Sequence, residues 1–281
     1  VVKEQKGAVV DDRPQDAVGW AQDVAHGLSH DYIAGSPHLR HQALTARIEG
    51  RIRQVIEQVL ARKGEASVLE IGAGHGFFTA TVLDAGGHTT VTEMSKASFD
   101  YLERRYHDNR SVRVIYDKTG DAAFNEGGKY DVILLISVIH HIPDYISTIE
   151  RLCDELLDAG GAIVTFQDPL WYPRQTGWAK TLSQGAYFMW RLGQGDLRRG
   201  LATRWRRLRG VYSESEPSDL VEYHVVRQGV DDQALMDMFR MRFSEVELDR
   251  YFSTQSPLLQ KYGQKVVPPN TFGIVARGRK P

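Results

Sequence analysis

The sequence predicts an α/β protein built on a doubly wound parallel sheet, and three observations carry that prediction. Between residues 67 and 166, strand-like and helix-like patterns alternate as they do in βαβ units with right-handed crossovers. The run Val132-Ile133-Leu134-Leu135-Ile136 is apolar without alternation, as expected of a central strand covered on both faces. The stretch Val68-Leu69-Glu70-Ile71-Gly72-Ala73-Gly74-His75-Gly76-Phe77-Phe78-Thr79 sets glycines at every second position between a strand-like run and a helix-compatible one. Bare backbone at the carboxyl end of a parallel strand is where a small cofactor can be approached closely.

The elements follow in order. Residues 1–13 read as a loose tail, and 16–25 and 39–62 as helices. In the second helix Leu44, Ile48, Ile52, Val55, Ile56 and Val59 form a 3.6-residue apolar face, and Gly64 closes it. Strands are expected at 67–71, 88–92, 111–116, 130–136 and 161–166, with helices at 76–86, 95–107 and 143–157. After Asp168 the rhythm breaks. Residues 169–224 hold Trp171, Tyr172, Trp178, Tyr187, Phe188, Trp190 and Trp205 without a clear strand, and read as a helical cap. A helix at 231–242, a strand near 244–252 and a last strand at 271–277 return the chain to the core.

Composition narrows the function classes. A net charge of −1 implies no polyelectrolyte partner, so nucleic acid is not expected. The single cysteine, Cys153, excludes an internal disulfide and a cysteine-based zinc cluster. No apolar run approaches the roughly 20 residues of a membrane span. The polar segment from Val1 to Arg13 lacks a signal-peptide core, so the expected location is cytoplasmic.

The glycine loop decides between cofactors by its spacing. A dinucleotide fold favours G-x-G-x-x-G, whereas here Phe77 occupies the third position and the glycines run G-x-G-x-G behind Glu70. This resembles motif I of the class I S-adenosylmethionine-dependent methyltransferases, E/D-x-G-x-G-x-G. The resemblance extends over roughly residues 64–170 and implies a Rossmann-like seven-stranded sheet ending in an antiparallel hairpin. It divides the chain into N-terminal helices covering the cofactor (1–63), a cofactor-binding core (64–168), an inserted cap (169–224) and the C-terminal part of the core (225–281). The implied cofactor is S-adenosyl-L-methionine.

The resemblance also implies site residues. Gly72, Gly74 and Gly76 let backbone approach the methionine portion, and Glu70 sits where the family's acidic residue helps hold its ammonium. Glu93, roughly 20 residues beyond the loop, is placed to accept from the ribose hydroxyls, with Met94 beside the adenine. Asp117 and Asp121 compete for the adenine amino group; Gly120-Asp121-Ala122 resembles the family's G-D-A step. Asp131, opening the fourth strand, reads as structural. Ser137 falls where backbone lines the transfer channel, and Tyr32 is the tyrosine that would reach the cofactor from the N-terminal helices.

Chemistry is expected just past the central strand. His140 and His141 lie in an H-H-I-P-D step, and an imidazole there can take a proton from a substrate hydroxyl as the methyl moves. Asp168, at the end of the fifth strand, can orient such an imidazole and raise its basicity. Some sugar O-methyltransferases pair a histidine with an aspartate in this way. Between His140 and His141 the sequence does not choose. A divalent metal on Asp168 is the rival role and is not favoured, because no run of further carboxylates accompanies it.

The expected acceptor is a small hydroxylated molecule, a saccharide or glycosylated natural product for preference. Trp171, Tyr172, Tyr187 and Trp190 of the cap are candidates for stacking on it. Arginines 191, 198, 199, 204, 206, 207 and 209, opposed by Asp196 alone, could meet an anion or an anionic lipid surface. The competing readings are N-methylation of an amine and a cofactor-binding protein without transfer activity. A homo-oligomer is compatible with all of them.

Overall fold

A computed structural model describes residues 36–171, Arg174 and 229–281. The expected tail, the helix at 16–25, Tyr32, Tyr172, Tyr187, Trp190 and the arginine-rich run lie outside the described residues, as does nearly all of the expected cap.

The chain opens with a four-residue helix, α1 (Pro37–Arg40), and then α2 (Gln42–Lys63). The sequence pattern ran these together; the structure separates them at His41, whose backbone is extended. Gly64 ends α2 in the left-handed conformation, and its N–H donates to the Leu60 carbonyl. The alternating core follows as β1 (Ser67–Ile71), α3 (Phe77–Asp84), β2 (His88–Glu93), α4 (Lys96–Tyr106) and β3 (Val112–Tyr116). Next come a short α5 (Ala122–Glu126), β4 (Tyr130–Ile136), a 3-10 turn at Ile139–His141 and α6 (Tyr145–Arg151). A π-helical turn, Leu152–Leu156, leads straight into β5 (Leu157–Pro169). That strand is longer than the 161–166 expected, and the preceding helix correspondingly shorter. The chain returns in α7 (Asp232–Arg242), β6 (Phe243–Tyr251), α8 (Pro257–Val266) and β7 (Thr271–Arg279).

These strands form one seven-stranded sheet in the order β3-β2-β1-β4-β5-β7-β6. β1 to β5 run parallel to one another, while β7 runs antiparallel to both β5 and β6. The expected terminal hairpin is therefore present. In β4 the side chains divide between two cores, as a two-residue period requires. Ile133 and Leu135 join α6 and α7 on one face. Val132, Leu134 and Ile136 join the Ile48-Ile52-Ile56 stripe of α2, with Phe78 and Val82 of α3, on the other. Full burial of each large aliphatic side chain contributes roughly 1.5–3 kcal/mol.

Asp131 is structural, as read from the sequence. Its carboxylate takes the Lys63 ammonium from the end of α2 and both the N–H (3.0 Å) and the hydroxyl (2.9 Å) of Ser67. It thereby ties β4 to the start of β1. Burial opposes its ionisation, but these three donors hold its carboxyl below the usual carboxylate range.

Candidate active site

The carboxyl ends of β1, β2, β4 and β5 converge on one edge of the sheet, and backbone strain collects there. Gly72, Gly74 and Gly76 all have positive φ, at 66°, 59° and 71°. A side chain on Gly72 would press on the Val138 Cγ2 at 2.9 Å, so the loop after β1 touches the loop after β4. Gly76 faces the other way. A Cβ there would meet Leu102 at 2.7 Å and Tyr106 at 2.9 Å, so its missing side chain admits α4. The only non-glycine residues with positive φ among those described, Ser137 (63°) and Gln167 (69°), end β4 and β5 at this same edge. Such conformations cost of order 1–3 kcal/mol each and persist where the surroundings fix them. The Ser137 N–H donates to the Phe166 carbonyl at 2.7 Å, which ties the ends of the two strands together.

Glu93 is no solvated strand-end charge. It is buried, and its carboxylate accepts from the Gly74 N–H (2.8 Å) and the Ser95 N–H (2.9 Å). It clamps the glycine loop to the start of α4. Met94 beside it is partly buried. Glu70 lies beneath the loop, taking the Thr79 hydroxyl at 2.5 Å. Burial, reinforced by the charge of Glu93 and opposed by that hydroxyl, raises its carboxyl to about 7. The competing aspartates separate. Asp117 is buried at the end of β3 and accepts from the Gly120 and Ala122 N–H groups at 2.7 and 3.2 Å. Asp121 begins α5 on a more open face and pairs with Arg151 at 3.2 Å.

The two histidines also separate. They form their own 3-10 turn rather than opening α6, which starts at Tyr145 under an Asp144 cap. The Asp168 Oδ1 lies 2.8 Å from His140 Nδ1 and also accepts the His140 backbone N–H at 3.1 Å. The His141 ring stands against that of His140, centroids 4.0 Å apart. Asp168 reaches this position through a β-bulge: Gln167 is an extra residue in β5, opposite no residue of β7. The bulge is held by the Tyr251 hydroxyl, which accepts the Gln167 N–H at 3.0 Å, and by the Ser253 hydroxyl at 2.8 Å from the Gln167 amide. Asp168 is fully buried, and burial raises its carboxyl against the opposing pull of His140.

Sequence reasoning gave no role to His38, which α1 brings to this edge. It is buried, lies 6.0 Å from the Phe78 ring at an interplanar angle of 16°, and stays neutral. Burial, with the neighbouring His140 adding, lowers its basicity to about 3. His38 Nδ1 and the second oxygen of Asp168, Oδ2, are both buried with no hydrogen-bond partner among the described residues. The only sequence signal was a histidine before a long amphipathic helix, which composition cannot distinguish from a packed one.

Among the described residues no cluster of three or more histidine, cysteine or carboxylate side chains could hold a metal ion. Cys153 is buried in the π-helical turn, and burial pushes its thiol up to about 12, which removes it as a nucleophile. Trp171 lies just beyond β5 beneath the Arg174 guanidinium, 4.9 Å from the ring centroid.

Residues 69–163 match the sequence profile of the family described as "Methyltransferase domain". That match covers about a third of the chain, and the seven-stranded sheet around it has the Rossmann-like methyltransferase fold. Curated relatives match the chain in part. A segment of 129 residues is 30% identical to the hybrid PKS-NRPS synthetase apdA of Emericella nidulans, covering 43% of this chain and 3% of that one. A segment of 97 residues is 25% identical to the ubiquinone biosynthesis O-methyltransferase of Aromatoleum aromaticum, covering 34% and 41%. The matches thus span less than half the length of either relative. Among solved structures, the CurJ carbon methyltransferase superposes with a TM-score of 0.53 at 14% identity, over 92% of this chain and 61% of that one. The plantazolicin methyltransferase BpumL, in complex with SAH, gives 0.52 at 14%, over 94% and 96%. The N-methyltransferase NodS of Bradyrhizobium japonicum gives 0.51 at 13%, over 94% and 99%. At these identities the structural likeness concerns the fold.

Proposed function

We propose that the chain transfers a methyl group from S-adenosylmethionine to a hydroxyl of a small, polar acceptor, with His140 as general base and Asp168 as its partner. The observation that carries this reading is the 2.8 Å contact of Asp168 with His140 Nδ1 at the edge where the glycine loop ends. Names of similar proteins do not choose the acceptor atom, since they include a carbon, an oxygen and a nitrogen methyltransferase. The dyad favours oxygen: a hydroxyl must lose its proton as it attacks, whereas a neutral amine attacks unaided.

The residues suit the cofactor. The glycine loop offers bare, positive-φ backbone, and Gly72 and Gly74 would face the methionine portion. Glu93, which already accepts the N–H of Gly74 in the loop and that of Ser95 at the start of α4, would take the ribose hydroxyls. The bond of the Asp117 N–H to the Glu93 carbonyl, just after β3, supports Asp117 for the adenine amino group over Asp121, which pairs with Arg151. When bound, S-adenosylmethionine supplies a methyl activated by its sulfonium charge.

The chain's own work is positioning and proton transfer. Collinear placement of donor, methyl and acceptor supplies the largest effect available, up to roughly 7–11 kcal/mol. With the cofactor bound, His140 Nε2 would take the proton that the acceptor hydroxyl gives up on methylation. Asp168 engages Nδ1, which fixes the ring, and its charge stabilises the imidazolium formed. Burial makes that carboxylate costly to ionise, so it gains from a positive charge beside it. His38, neutral and close to His140, supplies a second imidazole for a neighbouring hydroxyl of the acceptor.

The test is a screen of glycans and hydroxylated metabolites for uptake of label from methyl-labelled S-adenosylmethionine. O-methylated product, lost in His140→Ala, supports the reading. Label found on nitrogen or carbon at the same rate in that variant contradicts it.

A further inference from the structure

α8 is amphipathic in the wrong direction for a helix on a soluble core. It packs Gln260 and Gly263 inward; Gln260 uses its amide to hold the Thr254 N–H and the Phe252 carbonyl, both at 2.9 Å. Gly263 admits the Phe252 ring, whose Cε1 would lie 2.5 Å from a Cβ there. The apolar side chains are turned out. Leu258, Tyr262 and Val266, each one helical turn from the next, are 71%, 62% and 73% exposed, and Leu259 borders them at 39%. Lys261 and Lys265 run along one side of this stripe, and the helix contains no acidic residue. Scattered apolar residues on a surface are ordinary; four on one face of one short helix are not.

We propose that α8 is a docking surface for an anionic lipid bilayer. Charge argues for it: an apolar stripe carrying tyrosine, with Lys261 and Lys265 along one side and no acid in the helix, is the pattern of a helix lying in the interfacial plane. There aliphatic groups enter the acyl boundary while ammonium groups reach lipid phosphates. Area argues against a second copy as the occupant. A helix of ten residues is about 15 Å long, so its one face falls far short of the roughly 800 Å² per partner that a stable dimer buries.

Position adds a consequence. α8 follows the end of β6 that lies at the active-site edge, and the intervening segment holds the site: His41 Nε2 contacts the Thr254 carbonyl at 2.8 Å, and Ser253 holds the Gln167 bulge. A bilayer on α8 therefore lies beside the mouth of the site. This inference stands apart from the chemistry proposed above, since vesicle binding needs neither cofactor nor acceptor.

The experiment is co-sedimentation of the full chain with phosphatidylcholine vesicles and with phosphatidylcholine–phosphatidylglycerol vesicles, alongside light scattering of the protein alone. Binding to the anionic vesicles is expected, with at least about tenfold loss in Lys261→Gln/Lys265→Gln, since each lysine near an anionic surface is worth about 1 kcal/mol. Leu258→Ser/Tyr262→Ser/Val266→Ser should lose binding with an unchanged melting temperature, because these side chains are exposed. Equal sedimentation of wild type and both variants overturns the proposal. So does a dimer that the triple variant dissolves, which would assign the face to self-association.

Discussion

His140 and His141 are adjacent in sequence but differ in position, and the difference predicts different phenotypes. His140→Ala, and Asp168→Asn to a lesser extent, should lower turnover at least about tenfold with little change in affinity for S-adenosylhomocysteine, the scale of lost base catalysis. His141→Ala should be milder. Turnover assays with calorimetry separate these effects, and a larger loss at His141 would reverse the assignment. His38→Asn, which keeps a polar atom near Nδ1, should retain acceptor affinity better than His38→Phe. Glu70 gives a pH signature. Its carboxyl sits at about 7 when folded against 4.5 in a solvated chain. The unfolded chain therefore releases this proton first, and stability falls as pH rises from 4.5 to about 7, then levels. Glu70→Gln should lack that component, so the stability difference between it and wild type, measured by urea unfolding, should change across this window. A constant difference would show that Glu70 ionises normally.

At the level of elements, the parts that the sequence announced are those with a strong local period. The uninterrupted apolar run of β4, the 3.6-residue stripe of α2 and the glycine loop each state their geometry in their own residues. Glu93 was legible because strand length and crossover length fix where β2 ends. What sequence could not announce depends on partners distant along the chain. The bulge at Gln167 exists because Tyr251 and Ser253, far along the chain, hold it, and only the bulge turns Asp168 toward His140. α8 escaped notice because its apolar face points outward and a glycine stands within it. Gly273, opposite the bulge, offers a test at this scale. A Cβ there would lie 2.3 Å from the Phe166 ring, so Gly273→Ala should cost about 1–3 kcal/mol and also displace Asp168. Thermal melts and turnover should fall together; a stable variant with normal turnover would show that the bulge tolerates movement.

Across the whole molecule, the sheet separates structural ion pairs from the site. Asp131 and Lys63 fasten the end of the sheet opposite the active-site edge. Asp232, fully buried, takes Arg174 at 2.7 Å and Arg250, and so fixes the point where the chain returns to the core after the segment beyond β5. Asp232→Ala should destabilise by about 2 kcal/mol, since the two guanidinium groups lose charged hydrogen bonds but stay partly hydrated. Urea unfolding checks this, and a change indistinguishable from zero would remove that anchor. The site edge, by contrast, carries the strained residues Ser137 and Gln167 and the orphaned polar atoms of His38 and Asp168. In the proposed function the His140–Asp168 pair serves the methyl-transfer position. The most direct measurement is a structure with an S-adenosylmethionine analogue carrying an amine where the methyl sulfonium would stand. That amine should lie within about 6 Å of His140 Nε2, the sum of one near-attack distance and one hydrogen bond. An amine directed away from the pair, with another base beside it, would contradict this role.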